Sequence, residues 1–502
     1  MRYPQSIQIL DVAGPQEHPD QLLHVRIADR IRRAILGGSL LPGARLPSSR
    51  VLARDLKMSR PTVERAFDRL QAEGFVVRRR GSGSFVAASV PERERPPQPI
   101  RRARGPAKPE TPIGVRGRVF TAYPGHREPA IGTAFTPSLP AVELFPRRVW
   151  GRLLTRAIQR PGALHWTYGA TAGLSQLREA IAAHVAGSRG AACSPEQVIV
   201  LSSAQQGVDL AARVLLNPGD AAWVEDPSYP PAVHLLRAAG AQVTAVPVDA
   251  DGLDVDTAIA VQPAARLAYV TPSHQYPSGG TMSLSRRLAL LAWAAREGAW
   301  ILEDDYDGDL RYAGRPLASL QALDRSGRVI YIGTFNKVMF SSLRIAFLIA
   351  PTALVESLIN AKHLMDGHPA GHTQAALADF LGEGHLATHL RELLEAYDRR
   401  RLKLIAELDT VSDELEIGPS DAGLHLAAYL RRPLDDRRIS AECAKAGVDL
   451  HPLSRFYVGP ARAGFVMGFA CARPAQQHSA MEIVARNIRA QKSSSRRARV
   501  AS

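Results

Sequence analysis

From Gln197 to Asn336 the chain alternates short apolar runs with segments of helical spacing. QVIVLSS leads to QQGVDLAARVLL, AAWVED to PPAVHLLRAAG, and LAYVTPS to SRRLALLAWAAREG, before AWILEDD and RVIYIGTF. Alternation of this kind argues a mostly parallel sheet covered by helices on both faces. In such sheets ligands bind beyond the carboxyl ends of the strands. The polar clusters stand there: SSAQQ, EDPSYP, TPSHQYPSGG, EDDYD and TFNK follow the strands and are expected to converge on one pocket.

Lys337 ends one of these clusters, in YIGTFNKVMFSSLR, with Arg344 seven positions further on. Taken alone, the two read as an ordinary surface pair. The surroundings say more. Ala204 and Gln205 open a helix directly after a strand, so their N–H groups and the helix dipole offer an anion site. Arg344 adds a fixed charge and a planar fork suited to phosphate, and Thr334 adds a hydroxyl. Asp304 ends a buried strand, where an unpaired carboxylate is costly and calls for a buried cation. Lysine, aspartate, an aromatic residue and a phosphate cradle together are what pyridoxal 5′-phosphate (PLP) requires. The amine forms a Schiff base with the aldehyde, the carboxylate keeps the pyridine nitrogen protonated, and Tyr229 can stack on the ring.

The N-terminal hundred residues have a different design. LLHVRIADRIRRAILGG places Ile27, Ile31, Ala34 and Ile35 on one helical face and stops at Gly37–Gly38. SSRVLARDLKMSRPTVERAFDRLQAEG divides into two short helices, capped by Ser48 and Ser59 and ended by Gly74. Leu52, Leu56, Val63, Ala66, Phe67 and Leu70 face inward. The opposite face of the second helix offers Arg60, Thr62, Arg65 and Arg69 to phosphates and guanine edges. FVVRRRGSGSFVAAS reads as two strands around a Gly-Ser turn, a basic wing.

Charge supports that division. Residues 1–130 carry 24 Lys/Arg against 12 Asp/Glu, and the last twelve residues add four bases and no acid, leaving 35 against 36 for residues 131–490. The net charge of +15 therefore sits at one end and in a tail, which points to a polyanion partner for the N-terminal part. No signal peptide or run of eighteen apolar residues is evident, so a soluble, cytoplasmic protein without membrane contact is expected. Cys193, Cys443 and Cys471 fit neither a disulfide framework nor a zinc spacing, and no metal is expected. The organisation expected is multidomain: a winged helix-turn-helix over 20–88, a Pro/Arg-rich extended linker over 89–130, an α/β domain over 131–490, and a disordered basic tail over 491–502.

Two resemblances sharpen these readings. GARLPSSRVLARDL, SRPTVERAFDRLQAEGFV and RRGSGSFV resemble the GntR-type DNA-binding domain. That resemblance implies DNA contacts at Arg50, Arg60, Thr62 and Gly83, with Arg65 on the same face, and double-stranded operator DNA as partner. Glu64 departs from the pattern, since an acid facing a phosphate is unfavourable. TPSHQYPSG, ILEDDYDGDLRY and YIGTFNKVMFSSLRIAFLIAP resemble the fold type I, aminotransferase-like PLP domain of MocR/GabR-like regulators, and the likeness covers nearly the whole chain. It implies that Lys337 is the Schiff-base lysine, that Asp304 pairs with the pyridine nitrogen, that Tyr306 approaches the ring oxygen and that Tyr229 stacks. Ala204, Gln205, Thr334 and Arg344 would hold the phosphate, Tyr168 would reach the phosphate of a partner subunit, and the protein would be a head-to-tail, domain-swapped homodimer.

Departures from the family pattern bear on function. Asn336 stands before the lysine where serine is usual, Ser203 replaces a frequent glycine, and Tyr276 stands where aminotransferases place asparagine against the ring oxygen. The arginine that holds a substrate α-carboxylate falls at Val466, and a position that is arginine in a sensing relative is Pro231. Arg455 and Arg462 are the candidate substitutes. Without a paired arginine to orient an amino acid, turnover should be poor. The expected function is a PLP-dependent transcriptional regulator sensing PLP itself or an amine or amino acid. The alternatives are a working aminotransferase with a DNA-binding appendage, and a scaffold that has lost the cofactor.

Overall fold

The computed structural model describes residues 22–79, 81–88, 113–123, 134–160, 166–313 and 318–500, with side chains to residue 493. Two compact units divide between Thr111 and Pro112.

The first unit has α1 (Leu23–Leu36), α2 (Ser49–Asp55), α3 (Arg60–Ala72), β1 (Val76–Arg79) and β2 (Gly83–Val86). Ser48 Oγ accepts from Val51 N–H at 3.3 Å and Ser59 Oγ from Thr62 N–H at 3.4 Å, so both short helices start on hydroxyl caps. Ile27, Ile31, Leu52, Val63, Phe67 and Leu70 fill one core under the β1–β2 hairpin. Leu56 lies only partly buried against that core. Gly83 adopts φ +105°, a conformation open to glycine at little cost, which lets the wing turn tightly. Glu64 does not stand bare on the arginine face: it accepts from Ser49 Oγ and pairs with Arg78 of β1 at 3.2 Å and Arg60 at 3.6 Å.

The second unit begins with α4 (Val115–Ala122), α5 (Arg147–Gln159), α6 (Ser175–Arg189), β3 (Val198–Leu201), α7 (Ala204–Leu215), β4 (Ala221–Asp226) and α8 (Pro230–Ala238). It continues through β5 (Gln242–Asp249), β6 (Gly252–Leu253), α9 (Val255–Val261), β7 (Ala265–Val270), α10 (Leu284–Glu297), β8 (Trp300–Asp305), α11 (Leu320–Leu323), β9 (Val329–Thr334) and β10 (Ala346–Ile349). The chain closes with α12 (Val355–Asp366), α13 (Gly371–Gly382), α14 (His385–Asp409), β11 (Leu415–Ile417), β12 (His425–Leu430), α15 (Asp436–Lys445), β13 (His451–Pro452), β14 (Gly464–Gly468) and α16 (Pro474–Val500).

The central sheet has the order β3-β10-β9-β8-β7-β4-β5-β6. The run from β9 to β5 is parallel, while β10 is antiparallel to both neighbours and β6 to β5. Successive residues of each strand feed opposite layers, as the pleat requires. Ile199, Leu201, Leu267, Leu302, Ile330 and Ile332 pack under α7 and α8, while Val198, Val200 and Tyr331, with Trp223, Ile301 and Val329, serve the other face. A smaller antiparallel sheet, β11-β12-β14-β13, carries Val466.

Two expectations are corrected. Residues 113–123, read as extended linker, include helix α4, and Tyr123 meets His234 of α8 edge-on at 5.0 Å. Composition averaged over the linker hid a stretch without proline between Pro112 and Pro124. The rest of the linker, 89–112 and 124–130, lies outside the described residues. The basic tail also continues α16 to Val500 rather than losing structure at 491. QKSSSRRARV contains no glycine or proline, and basic residues favour a helix C-terminus. Lys492 joins the tail to Glu414 at 2.9 Å.

The end of β8 is fixed by a buried ion pair. Arg189 Nε donates to Asp305 Oδ2 at 2.7 Å and its Nη2 to Oδ1 at 3.1 Å, with side chains 4% and 1% exposed. Replacing Arg189 by Met leaves Asp305 buried without a counter-charge, with only the Tyr331 hydroxyl donating to it at 2.7 Å, and is expected to cost about 3–5 kcal/mol in urea unfolding of the larger unit. A loss under about 1 kcal/mol would show that Asp305 finds another partner.

Candidate functional site

The acidic run Glu303-Asp304-Asp305 closes β8, and alternation along the strand separates its members. Glu303 accepts from the N–H groups of Leu320 and Gln321 at the start of α11, and Asp305 takes Arg189. Asp304 points the other way. Tyr269 donates to its Oδ2 at 2.7 Å, whereas its Oδ1 is buried with no partner. Burial, with Asp305 and Asp307 near, pushes the Asp304 carboxyl up to about 7, against the Tyr269 hydrogen bond and Lys337.

Lys337 stands half-buried beyond the end of β9 and donates from Nζ to Ser138 O at 3.0 Å. Burial draws its pKa below the usual ammonium value, while Asp307 and Asp304 pull it back up. Ser138 and Arg344 hold φ of +63° and +54°, left-handed conformations unusual outside glycine and costing about 1–3 kcal/mol each. Strain of that kind gathers where backbone must serve a site.

The remaining predicted residues are placed as follows. Ala204 and Gln205 are the first residues of α7, capped by Ser203, whose Oγ accepts from Gln206 N–H at 3.2 Å. Thr334 Oγ1 donates to Ile345 O at 3.4 Å, and Asn336 Oδ1 accepts from Ile345 N–H at 3.3 Å. Asn336 therefore ties the end of β9 to the start of β10, which explains an amide where a shorter hydroxyl was expected. Tyr276 meets Tyr229 at 5.6 Å, Tyr306 at 5.7 Å and Phe456 at 5.5 Å, each edge-on, in an aromatic wall that includes the buried Val466. Pro231 opens α8 beside Tyr229. Arg462 lies over Tyr429 and pairs with Glu416, while Arg455 lies over Phe456. Tyr168 is 97% exposed and meets His368 edge-on at 6.2 Å, outside this cluster.

Sequence reasoning missed Ser138, His274, Asp307 and His425. His274 Nδ1 lies 2.8 Å from both Asp307 Oδ2 and Tyr306 Oη, and His425 is fully buried 5.0 Å from the His274 ring. The signal was present in TPSHQYPSGG and EDDYDGD, where a histidine and a third aspartate sit among residues already assigned.

In the first unit Arg50, Arg60, Arg65 and Gly83 are exposed and Thr62 half-buried, its Oγ1 2.7 Å from Ser59 Oγ. Arg69 instead pairs with Glu73 at 2.8 Å.

Among the described residues no helix is long and apolar enough to cross a membrane. Residues 23–86 match the bacterial regulatory proteins of the gntR family and residues 158–475 match aminotransferase class I and II. The probable rhizopine catabolism regulatory protein MocR of Rhizobium meliloti is 38% identical over 453 residues, 90% of each chain. The HTH-type pyridoxine biosynthesis transcriptional regulator PdxR of Corynebacterium glutamicum is 33% identical over 456 residues, 90% of this chain and 93% of that one. Among solved structures, a Pyrococcus horikoshii kynurenine aminotransferase in complex with PMP superposes with TM-score 0.67 at 26% identity, covering 72% of this chain and 91% of that one. The chain therefore belongs to the MocR-type regulators, helix-turn-helix transcriptional regulators of the GntR family that carry an aminotransferase-like domain.

Proposed function

We propose that this regulator binds PLP in the cluster around Lys337, and that the occupied site, alone or with an amine or amino acid, changes how the protein holds its operator. The observation that carries the reading is Asp304 Oδ1, a buried carboxylate oxygen with no partner at the end of a central strand. Such an atom suits a protonated ring nitrogen, which supplies both the missing hydrogen bond and the missing charge. The other residues present fit the same group. Lys337 is the amine for the aldehyde, Tyr229 the aromatic face, Tyr306 and Tyr276 the neighbours of the ring oxygen. Ala204 and Gln205 N–H, Thr334 and Arg344 would receive the phosphate, with Tyr168 supplied from a partner subunit in a head-to-tail homodimer. Asn336 acts on the phosphate only by fixing the turn that presents Thr334 and Lys337.

When bound, the cofactor supplies an electron-withdrawing ring and a carbonyl that primary amines can capture. The chain's own residues favour capture over turnover. Val466 is buried among Tyr276, Leu453 and Phe456, so that position itself offers an amino-acid carboxylate no charge, and the cation beside this wall is Arg455, over Phe456. An effector can act only through a difference in affinity between two states of the dimer.

Protein incubated with PLP is expected to show a visible absorption band that Lys337→Ala abolishes. A colourless wild type would sink the cofactor reading. Operator affinity should fall steeply with salt, and the Arg60→Ala/Arg65→Ala double variant should flatten the log–log slope by about 1–2 while leaving the visible band intact. An unchanged slope would remove these arginines from the DNA interface.

A further inference from the structure

Tyr306 is held from behind by two buried groups that the cofactor contacts do not use. His274 Nδ1 lies 2.8 Å from Tyr306 Oη and 2.8 Å from Asp307 Oδ2, and His274 and Asp307 are 2% and 3% exposed. One nitrogen faces two oxygens, so the count of hydrogens decides what each can do.

Burial raises the Asp307 carboxyl above its usual value, and the His274 ring beside it opposes that rise. Between an imidazole and a carboxylate 2.8 Å apart the nitrogen is the stronger base, so the hydrogen shared by this pair is carried by Nδ1 and the carboxylate accepts it. A nitrogen bearing that hydrogen has no in-plane lone pair left for the Tyr306 hydroxyl. The phenol oxygen therefore accepts a share of the Nδ1–H, and its own hydrogen stays free to point forward. Burial and the neighbouring Asp307, Tyr276, Asp304 and Tyr269 hold the Tyr306 pKa well above the usual phenol value, so the hydrogen is retained. His425, next to His274, is driven by burial well below the usual imidazole pKa and brings no competing charge.

The pair is also clamped. Gly423 has φ +75°, and a Cβ there would fall 2.1 Å from His274 Cε1 and 2.4 Å from Asp307 Oδ2. Backbone thus lies directly against the imidazole and the carboxylate, and neither can swing away from Tyr306.

We propose that Asp307 and His274 are positioning residues that keep Tyr306 a hydrogen-bond donor toward the cofactor's ring oxygen. This rests on the PLP reading above. A donor at that oxygen stabilises its negative charge, which is greatest after the adjacent nitrogen has lost its proton, and so lowers the pKa of the bound chromophore. Losing the donor raises it.

The test is a pH titration of the visible absorption of full-length, PLP-loaded protein, with PLP affinity and thermal unfolding measured alongside. His274→Ala and Asp307→Asn are expected to raise the titration midpoint by about one unit. His274→Asn, whose amide nitrogen replaces Nδ1 as a donor to both oxygens, is expected to titrate close to wild type. Midpoints for His274→Ala and Asp307→Asn equal to wild type would overturn the proposal, as would a His274→Asn midpoint displaced as far as that of His274→Ala. If His274→Ala unfolds too readily to be loaded, the Asp307→Asn and His274→Asn comparison decides it. A wild type that takes up no PLP refutes the cofactor reading itself, an outcome distinct from equal midpoints.

Discussion

Three carboxylates at the end of one buried strand set the conditions for the rest of this site. Removing an ionised carboxylate from water costs several kcal/mol unless charge and hydrogen bonds are returned to it. Glu303 receives two backbone N–H groups and Asp305 receives Arg189 together with the Tyr331 hydroxyl. Asp304, turned to the opposite face by the pleat, receives only Tyr269, and its second oxygen is left open. Satisfying the flanking acids within the fold while leaving the middle one incomplete concentrates the demand for a cation at one point. Lys337 answers it at a distance, its charge favouring ionisation of Asp304. A ring nitrogen that brings both a hydrogen and a charge would answer it directly.

Much of this was legible because it is local. The sheet follows from alternation of apolar runs and helical segments, and the position of the polar clusters from the rule that such sheets are used at their carboxyl ends. The caps at Ser48 and Ser59 and the wing turn are consequences of hydroxyls and glycine at fixed offsets. What escaped was long-range or averaged away. His274 and Asp307 are 33 positions apart and meet only because β7 and β8 pair in parallel and end side by side. Helix α4 was hidden by the proline-rich composition on either side, and the continuation of α16 by the reading of a charge run as solvated chain. Asn336 could not be read from its position next to Lys337, because its partner is the backbone of Ile345 across a turn.

The same distinction explains Glu64. From sequence it is an acid on a face meant for phosphate. In the fold its carboxylate is occupied by Ser49, Arg78 and Arg60, linking α2, α3 and the wing. A half-exposed pair is worth at most about 1 kcal/mol, so the gain lies in orientation: the acid fixes where Arg60 and Arg78 can reach, and the basic surface is shaped by the one residue that appeared to oppose it.

Sensing and catalysis make different demands on one pocket. Catalysis needs interactions that strengthen at the transition state, and a paired arginine that fixes an amino-acid carboxylate is a large part of aligning the bond to be broken. A sensor needs only that occupancy differ in free energy between two conformations. Keeping Lys337, Asp304 and Tyr306 with Val466 buried in an aromatic wall would retain the means to capture a carbonyl cofactor while leaving that strand position without the arginine that orients a substrate on it. A faster enzyme would call for an arginine at the Val466 position itself. A regulator gains nothing from it, since occupancy and not turnover is what shifts the balance of two conformations.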